Sequence, residues 1–390
     1  MSDTPLYDFA ESLRRELGYD ENDFAVRLLY EELDHNFYIY RLLWKEFGPN
    51  KALEIYRPVV GVLTAGMPVA VAGAMGLEEV KDIPTLGRMV EAGMTAFPVL
   101  YETAINTEDL HVGRVHWCPN TFYSPAARHE VEMHSYFRSQ VAITIDPLLT
   151  GFVRFANEHG LDTELEVDCP QAMCTNANAR FCEYVIQRKG VPRYSPADMP
   201  VDEEAYVAFD MGDEEPLLYC LRRQGRSVAE QIPVNLLSFL QFDAGAYEVL
   251  AEVLGKNESL ELYKRLWSSR AEKWTKEARL DLEIGKVSGL EDLARIIVHN
   301  QRMRFTPYRV ENTDDRKVRL TGAIDPLIAL GMTVLGKTID DDYFQAVRAG
   351  SEQLLTQILR ETNREGKAKA TVSKSMAGGD DRTEITIQAL

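Results

Sequence analysis

The chain is short of positive charge, of histidine and of the signature loops of common enzyme classes. Its 43 lysines and arginines face 61 aspartates and glutamates, a formal net charge of −18. Such an excess repels nucleic acid and anionic membrane surfaces, so neither is expected as a partner. No G-x-S-x-G, no G-x-G-x-x-G after a strand and no phosphate-cradling glycine loop occurs, which disfavours the usual serine hydrolases and nucleotide enzymes. The five cysteines include no C-x-x-C pair. An odd number in a 390-residue chain fits free thiols in a reducing compartment better than a disulfide framework. The opening MSDTPLYDFAESLRRELGYD lacks the basic-then-apolar pattern of a secretory signal, and a cytoplasmic protein is expected. Long lipophilic runs are scarce too. The charge-free stretch 58–77, PVVGVLTAGMPVAVAGAMGL, is mostly Ala, Gly, Val and Pro, and Pro68 interrupts it.

What is present is internal similarity. Phe24, Leu28, Leu29, Leu33, Phe37, Tyr40, Trp44 and Phe47 recur at helical spacing, which predicts an amphipathic helix over 22–47, stopped by Gly48-Pro49-Asn50. The following GPNKALEIYR (48–57) reads like GKNESLELYK (255–264). Further on, GLEEV (76–80) pairs with GLEDL (289–293), NTED (106–109) with NTDD (312–315), and CEYVIQ (182–187) with TEITIQ (383–388). Order is kept throughout, so the expected fold is α+β: two tandem copies of a helix–hairpin–helix–hairpin module related by a pseudo-twofold. The first, site-bearing module is expected over 1–190, an acidic and proline-rich linker over 191–230, and a second, degenerate module over 231–390. The counterpart of 58–77 in the second copy, about 265–284, is full of charge, which argues against a membrane span and places 58–77 inside the protein, at a subunit contact or against an apolar ligand.

Gly160–Arg188 shows how the second hairpin of each module is written. Leu161, Thr163, Leu165, Val167 and Cys169 share one phase, and Asp162, Glu164, Glu166 and Asp168 the other, as in a half-buried strand. After a polar loop, Cys182, Tyr184 and Ile186 again fall in phase. The hairpin carries Cys169, Cys174 and Cys182. Cys174 and Cys182, with Asp146 completing the set, are candidate ligands for a divalent metal (Zn, Fe or Mn). The competing reading is that the thiols in phase with apolar neighbours are plain core residues.

A second constellation lies in RVHWCPNTFYSPAARHEVEMH (114–134). Six of the seven histidines fall in the first copy, and only His299 in the second. The catalytic candidates are Cys118, as nucleophile or metal ligand, His129 or His134 as general base, and Glu130 to orient it; Glu130 and His134 are one helical turn apart. Arg114 or Arg128 would anchor a substrate carboxylate, and Trp117, Phe122 and Tyr123 would line an apolar pocket. His111 and His116 point to opposite faces of one strand. Glu32-x-x-His35 has the spacing of half a di-iron site but finds no matching histidine near Asp243–Tyr247, and that reading is rejected.

The order of elements closing in CTNANARFCEYVIQ resembles the 4-vinyl-reductase-like ligand-binding domain, with Cys174, Cys182 and Tyr184 on its terminal cysteine–cysteine–aromatic pattern. Cys118-Pro119 with the late Cys182 is similar to the L-2-amino-thiazoline-4-carboxylic acid hydrolase-like proteins. The resemblance implies tandem domains of this type and a small-molecule ligand, with zinc bound in some members. Two functions are expected to compete: a hydrolase- or lyase-like enzyme acting on a small molecule in the first module, with or without a metal, and a non-catalytic binder or sensor of an aromatic or apolar ligand. A homodimer is the expected assembly.

Overall fold

The computed structural model describes residues 5–119, 148–172, 181–195, 214–313 and 316–390. Ser124-Pro125 and Asp146-Pro147, expected as helix starts from their capping side chains and first-turn prolines, fall outside them. The fold is mixed α+β with two four-stranded antiparallel sheets, and the contacts gather the chain into two compact units, 43–234 and 1–42 with 235–390.

In the unit 43–234, helix α2 (Glu21–Ala65) contributes its second half, followed by α3 (Met67–Met75) and α4 (Ile83–Ala96). The sheet has β1 (Leu100–Asn106), β2 (Leu110–Trp117), β3 (Leu165–Gln171) and β4 (Cys182–Arg188) in the order β1-β2-β4-β3, with α5 (Thr150–Glu158) between the hairpins. Alternation decides which face is buried. Val115, Cys182, Tyr184 and Ile186, with Leu165, Val167 and Cys169, pack on Leu86, Met89 and Val90 of α4 and on Phe152 and Ala156 of α5. The acidic phase of β3 is left on the opposite face, as the sequence alternation requires.

The stretch 58–77 ends α2 and forms α3; Val59, Val71 and Ala72 are buried whereas Val69 is 61% exposed. No helix of the described residues is long and apolar enough to cross a membrane. Residues 214–230 are not an open tether. Glu215 caps α6 (Pro216–Gln224), which buries Leu217, Tyr219, Cys220 and Leu221. Gln224 then donates to the Phe97 and Val99 carbonyls (3.0 and 2.7 Å) and Arg226 to those of Thr95 and Ala96 (2.8 and 3.0 Å).

The other unit combines α1 (Pro5–Leu17) and the first half of α2 with most of α7 (Val228–Leu254), then α8 (Lys256–Asp281), α9 (Leu290–Met303), α10 (Pro326–Thr333) and α11 (Asp342–Glu361). Its sheet repeats the strand order, β5 (Tyr308–Thr313), β6 (Lys317–Gly322), β8 (Thr383–Ala389) and β7 (Ala368–Lys374). The amphipathic stripe predicted over 22–47 is buried here through Phe24, Leu28 and Leu29, and Phe24 meets Phe305 edge-on. Residues 1–42 thus belong with 235–390 rather than with the remainder of the expected first module, because the partners of that stripe lie on α7 and α8.

Both long helical runs break at glycine. Gly48 has φ 75° and ψ 170°, and Gly255 φ 88° and ψ 152°, backbone that a side chain opposes. Tight packing fixes α8 against α11. A methyl group on Gly350 would sit 2.4 Å from Trp267 Cδ1 and 3.0 Å from Tyr263 Cε1. Both rings are buried and cannot retreat. Gly350→Ala is therefore expected to destabilise the protein by about 1–3 kcal/mol, measured by urea denaturation. An unchanged midpoint would contradict this packing.

Candidate functional site

The polar groups of the first sheet are gathered along β2. Arg114 stands in register with Glu102 on β1 and Glu183 on β4, so antiparallel pairing puts all three on one face. Arg114 is 6% exposed and Glu183 fully buried, and Arg114 Nε donates to Glu183 Oε1 at 3.1 Å. The guanidinium carbon lies 4.5 Å from the centre of the Phe181 ring. His116 meets that ring edge-on at 5.7 Å and approaches Glu102 Oε2 at 2.7 Å. Tyr194, just after β4, donates its hydroxyl to the same Glu183 Oε1 at 2.9 Å, while its backbone N–H donates to Gln187. Burial and then Glu183 push the Tyr194 phenol up to about 12, so it remains a donor. One acceptor is left over: Glu183 Oε2 is buried with no hydrogen-bond partner among the described residues.

His111 is a different case, although it lies on the same strand. Glycines clear its space: a Cβ on Gly87 would meet His111 Nδ1 at 2.3 Å, and one on Gly113 would meet Tyr101 Oη at 1.7 Å. Asn106 donates its amide N–H to the Pro84 carbonyl, which turns its oxygen towards His111 Nδ1 at 3.2 Å. Since that oxygen only accepts, Nδ1 carries the proton and Nε2 accepts from Tyr101 Oη at 2.9 Å. Burial lowers the imidazole to about 4. His111 is a neutral core residue with both nitrogens used. It and His116 do face opposite sides of the strand.

The cysteines follow the core reading. Cys169 donates to the Gln171 carbonyl at 3.3 Å; burial first, then neighbouring Cys182, pushes its thiol up to about 12. Cys220, which sequence reasoning set aside, is likewise pushed up to about 12 by burial, with Cys118 close enough to add to the rise. Cys182 is buried and packed among Tyr184, Ile186 and Ala172 in the apolar core. Among the described residues no group of three His, Cys, Asp or Glu side chains is placed to hold a metal. Cys174 and Asp146 lie outside the described residues, as do Phe122, Tyr123, Arg128, His129, Glu130 and His134. Trp117 packs with Leu100, Tyr219 and Cys220 in a small buried cluster of its own. It is the signal that 214–230 belongs to this unit. Of the site residues of the sequence reading, Arg114 stands with Glu183 and Phe181, whereas Cys118 packs against the apolar core. Glu183, Phe181 and Tyr194 were missed. Glu183 was visible only as the charged residue in an otherwise apolar strand, CEYVIQ.

The unit 1–42 with 235–390 holds a second buried polar network. Asp243 Oδ2 accepts from the hydroxyls of Tyr263 and Tyr343, both at 2.7 Å, and His35 Nε2 lies 2.7 Å from Oδ1, off the line of a ring N–H. Burial alone would raise the Asp243 carboxyl, but His35 and the two tyrosines outweigh it and hold it below its usual value. Burial lowers His35, opposed in part by Asp243. Beside it, Arg270 and Trp274 both donate to Glu31, and Lys273 pairs with Asp34. The half-site spacing of Glu32 and His35 is explained: Glu32 accepts from Ser238 at 2.6 Å, and His35 turns to Asp243. These groups are closed in by Phe239, Phe242 and Trp267, which mark them as a polar core.

Compared with family models and with curated proteins, the chain matches none of them.

The sign of the His111 linkage is definite. Its folded value of about 4 lies below the 6.5 of an unperturbed imidazole, so the unfolded chain binds the proton first. Stability is lost as pH falls through 6.5 and the loss is complete near 4, at most about 3 kcal/mol. In His111→Gln the drop in melting temperature between pH 7 and pH 4.5 should be visibly smaller than in the wild type. Parallel curves for the two proteins would show that His111 is not held neutral.

Proposed function

We propose that this protein binds a small carboxylate bearing an N–H donor, on the Arg114 face of the sheet in the unit 43–234. The single observation that supports this is the unpartnered Oε2 of the fully buried Glu183, next to a buried arginine. A buried carboxylate oxygen without a donor costs about 1–3 kcal/mol or more, and such a cost is retained where a ligand removes it. Arg114 Nε donates to Glu183 and the guanidinium also bonds Tyr194, and its remaining N–H donors would meet the carboxylate of a ligand. Glu183 Oε2 would accept the ligand N–H, and the Phe181 ring beneath the guanidinium holds the arginine in plane.

The second reading is hydrolase- or lyase-like chemistry in the same unit. It rests on Cys118, which directly follows β2, the strand that carries Arg114, and packs against the apolar core. In that reading His129 or His134, oriented by Glu130, is the base that generates the thiolate, and Arg128, Phe122 and Tyr123 complete the substrate contacts. A divalent metal at Cys174, Cys182 and Asp146 belongs to this reading only. The burial of Cys182 in the apolar core weighs against it.

The resemblance to tandem 4-vinyl-reductase-like and L-2-amino-thiazoline-4-carboxylic acid hydrolase-like domains is proposed on the same footing. The shared strand order of the two sheets and the paired glycine breaks at Gly48 and Gly255 support a duplication with pseudo-twofold symmetry. A cytoplasmic homodimer remains part of the proposal, the exposed Val69 in the charge-free 58–77 stretch being the feature that supports a subunit contact.

L-2-Amino-thiazoline-4-carboxylic acid carries both the carboxylate and the N–H donor, and is the probe of choice. Calorimetric titration should give saturable binding to the wild type, weakened at least tenfold in both Glu183→Gln and Arg114→Met. Binding equal in all three proteins would remove the site. Loss of the thiazoline ring absorbance on incubation, abolished by Cys118→Ser, would make the protein an enzyme; bound but unchanged ligand would make it a binder.

A further inference from the structure

The unit 1–42 with 235–390 contains a cleft of about 680 Å³. It lies where the turn after α8, the approach to α9 and the end of α11 meet. Its lining includes Arg279, Lys286, Arg364 and Lys367 together with Ser288 and Asn363. No acidic and no aromatic residue lines it, in a chain whose acids outnumber its bases by 61 to 43. A chance sample of this surface would contain more carboxylates than cations, so the lining is selected for one sign of charge.

The two guanidiniums are fixed by backbone. Arg279 Nε donates to the Ile284 carbonyl at 3.3 Å and its Nη2 to that of Gly285, while Arg364 Nη2 donates to the Val287 carbonyl. Asn363, at φ 55°, turns the chain between them, and Val287 anchors the opposite wall in the core. The two ammonium groups are uncommitted: neither Lys286 nor Lys367 has a carboxylate partner among the described residues. Nearby acids have other partners: Asp292 accepts from the cleft residue Ser288 at 2.8 and 2.5 Å, Asp281 pairs with His299 at 3.0 Å and Glu365 with Arg360 at 3.4 Å.

We infer that this cleft is a binding site for a compact polyanion of the phosphate or diphosphate class. Two ordered guanidiniums and two mobile ammonium groups around one concavity supply more positive charge than one carboxylate needs. The lack of any ring to stack on argues against a nucleoside. The amide N–H of Asn363 can complete the coordination of phosphoryl oxygens.

The test is calorimetric titration of the full chain with sodium pyrophosphate in metal-free buffer at low ionic strength, with citrate as a second titrant. Saturable one-to-one binding of pyrophosphate is expected, weakening as sodium chloride is added. Lys286→Glu/Lys367→Glu should lower the affinity at least tenfold. Both lysines are exposed, so the variant is expected to fold, and circular dichroism checks that it does. Arg114→Met, shown by circular dichroism to be folded, should bind pyrophosphate as the wild type does, which separates this site from the carboxylate site proposed above. Absence of saturable binding, binding undiminished in the lysine variant, or citrate bound more tightly than pyrophosphate would each overturn the assignment.

Discussion

The contact on which the functional reading depends is the cross-strand pair of Arg114 and Glu183. Strand register puts the two residues opposite each other on the central strands β2 and β4, and burial takes both out of water. Removing charges from water costs several kcal/mol per ion, and a single hydrogen bond of 3.1 Å from Nε does not recover it in full. Phe181 beneath the guanidinium and Tyr194 on Glu183 Oε1 reduce the cost, yet Oε2 still has no donor. A pair kept for stability alone would be expected to be fully bonded. His111, a few residues earlier on the same strand, shows what that looks like: two glycines open its space, Asn106 and Tyr101 take both nitrogens, and nothing is left over.

The unit 1–42 with 235–390 holds a second buried network, in which Asp243 Oδ1 and both His35 nitrogens are likewise without a hydrogen-bond partner among the described residues. There, Asp243 is surrounded by Tyr263, Tyr343 and His35, and Glu31 by Arg270 and Trp274, with aromatic rings closing the cluster. These charges tie residues 21–42 to α7 and α8 with a directional network. Apolar packing alone would fix such a helix less uniquely in rotation and register. The basic cleft at Arg279 and Arg364 lies at the other extreme of exposure, where unpaired lysines cost little and are free to meet a ligand.

Much of the fold was legible in the residues. Period-two alternation around Val167 and Cys169 identified the buried face of β3, and the matched segments CEYVIQ and TEITIQ are β4 and β8, in corresponding places in two sheets of identical order. Glycine at 48 and 255 stopped helices as its chemistry dictates. The division into units was not legible, because an amphipathic stripe states that a helix is buried but not against which partner. The acidic, proline-bearing segment around 191–230 read as a tether for a similar reason. Leu217, Tyr219 and Cys220 are too few to register as a helix face, yet with Trp117 and Leu100 they form a buried cluster.

The site was less legible than the fold. Residue types that advertise chemistry, cysteine and histidine, drew the reading towards Cys118, His129, His134, Cys174 and Cys182; of these Cys182 lies in the apolar core, and His129, His134 and Cys174 are outside the described residues. The ion pair of Arg114 with Glu183 joins residues 69 apart in sequence and depends on register, which composition does not encode. Its role is tested most directly by the thermodynamic stability of the Arg114→Met/Glu183→Leu double variant beside the Arg114→Met single variant. If the pair is held for ligand binding and not for folding, the single variant loses about 3–5 kcal/mol and the double variant recovers to within about 1 kcal/mol of the wild type or exceeds it. A double variant as unstable as the single one would contradict the account.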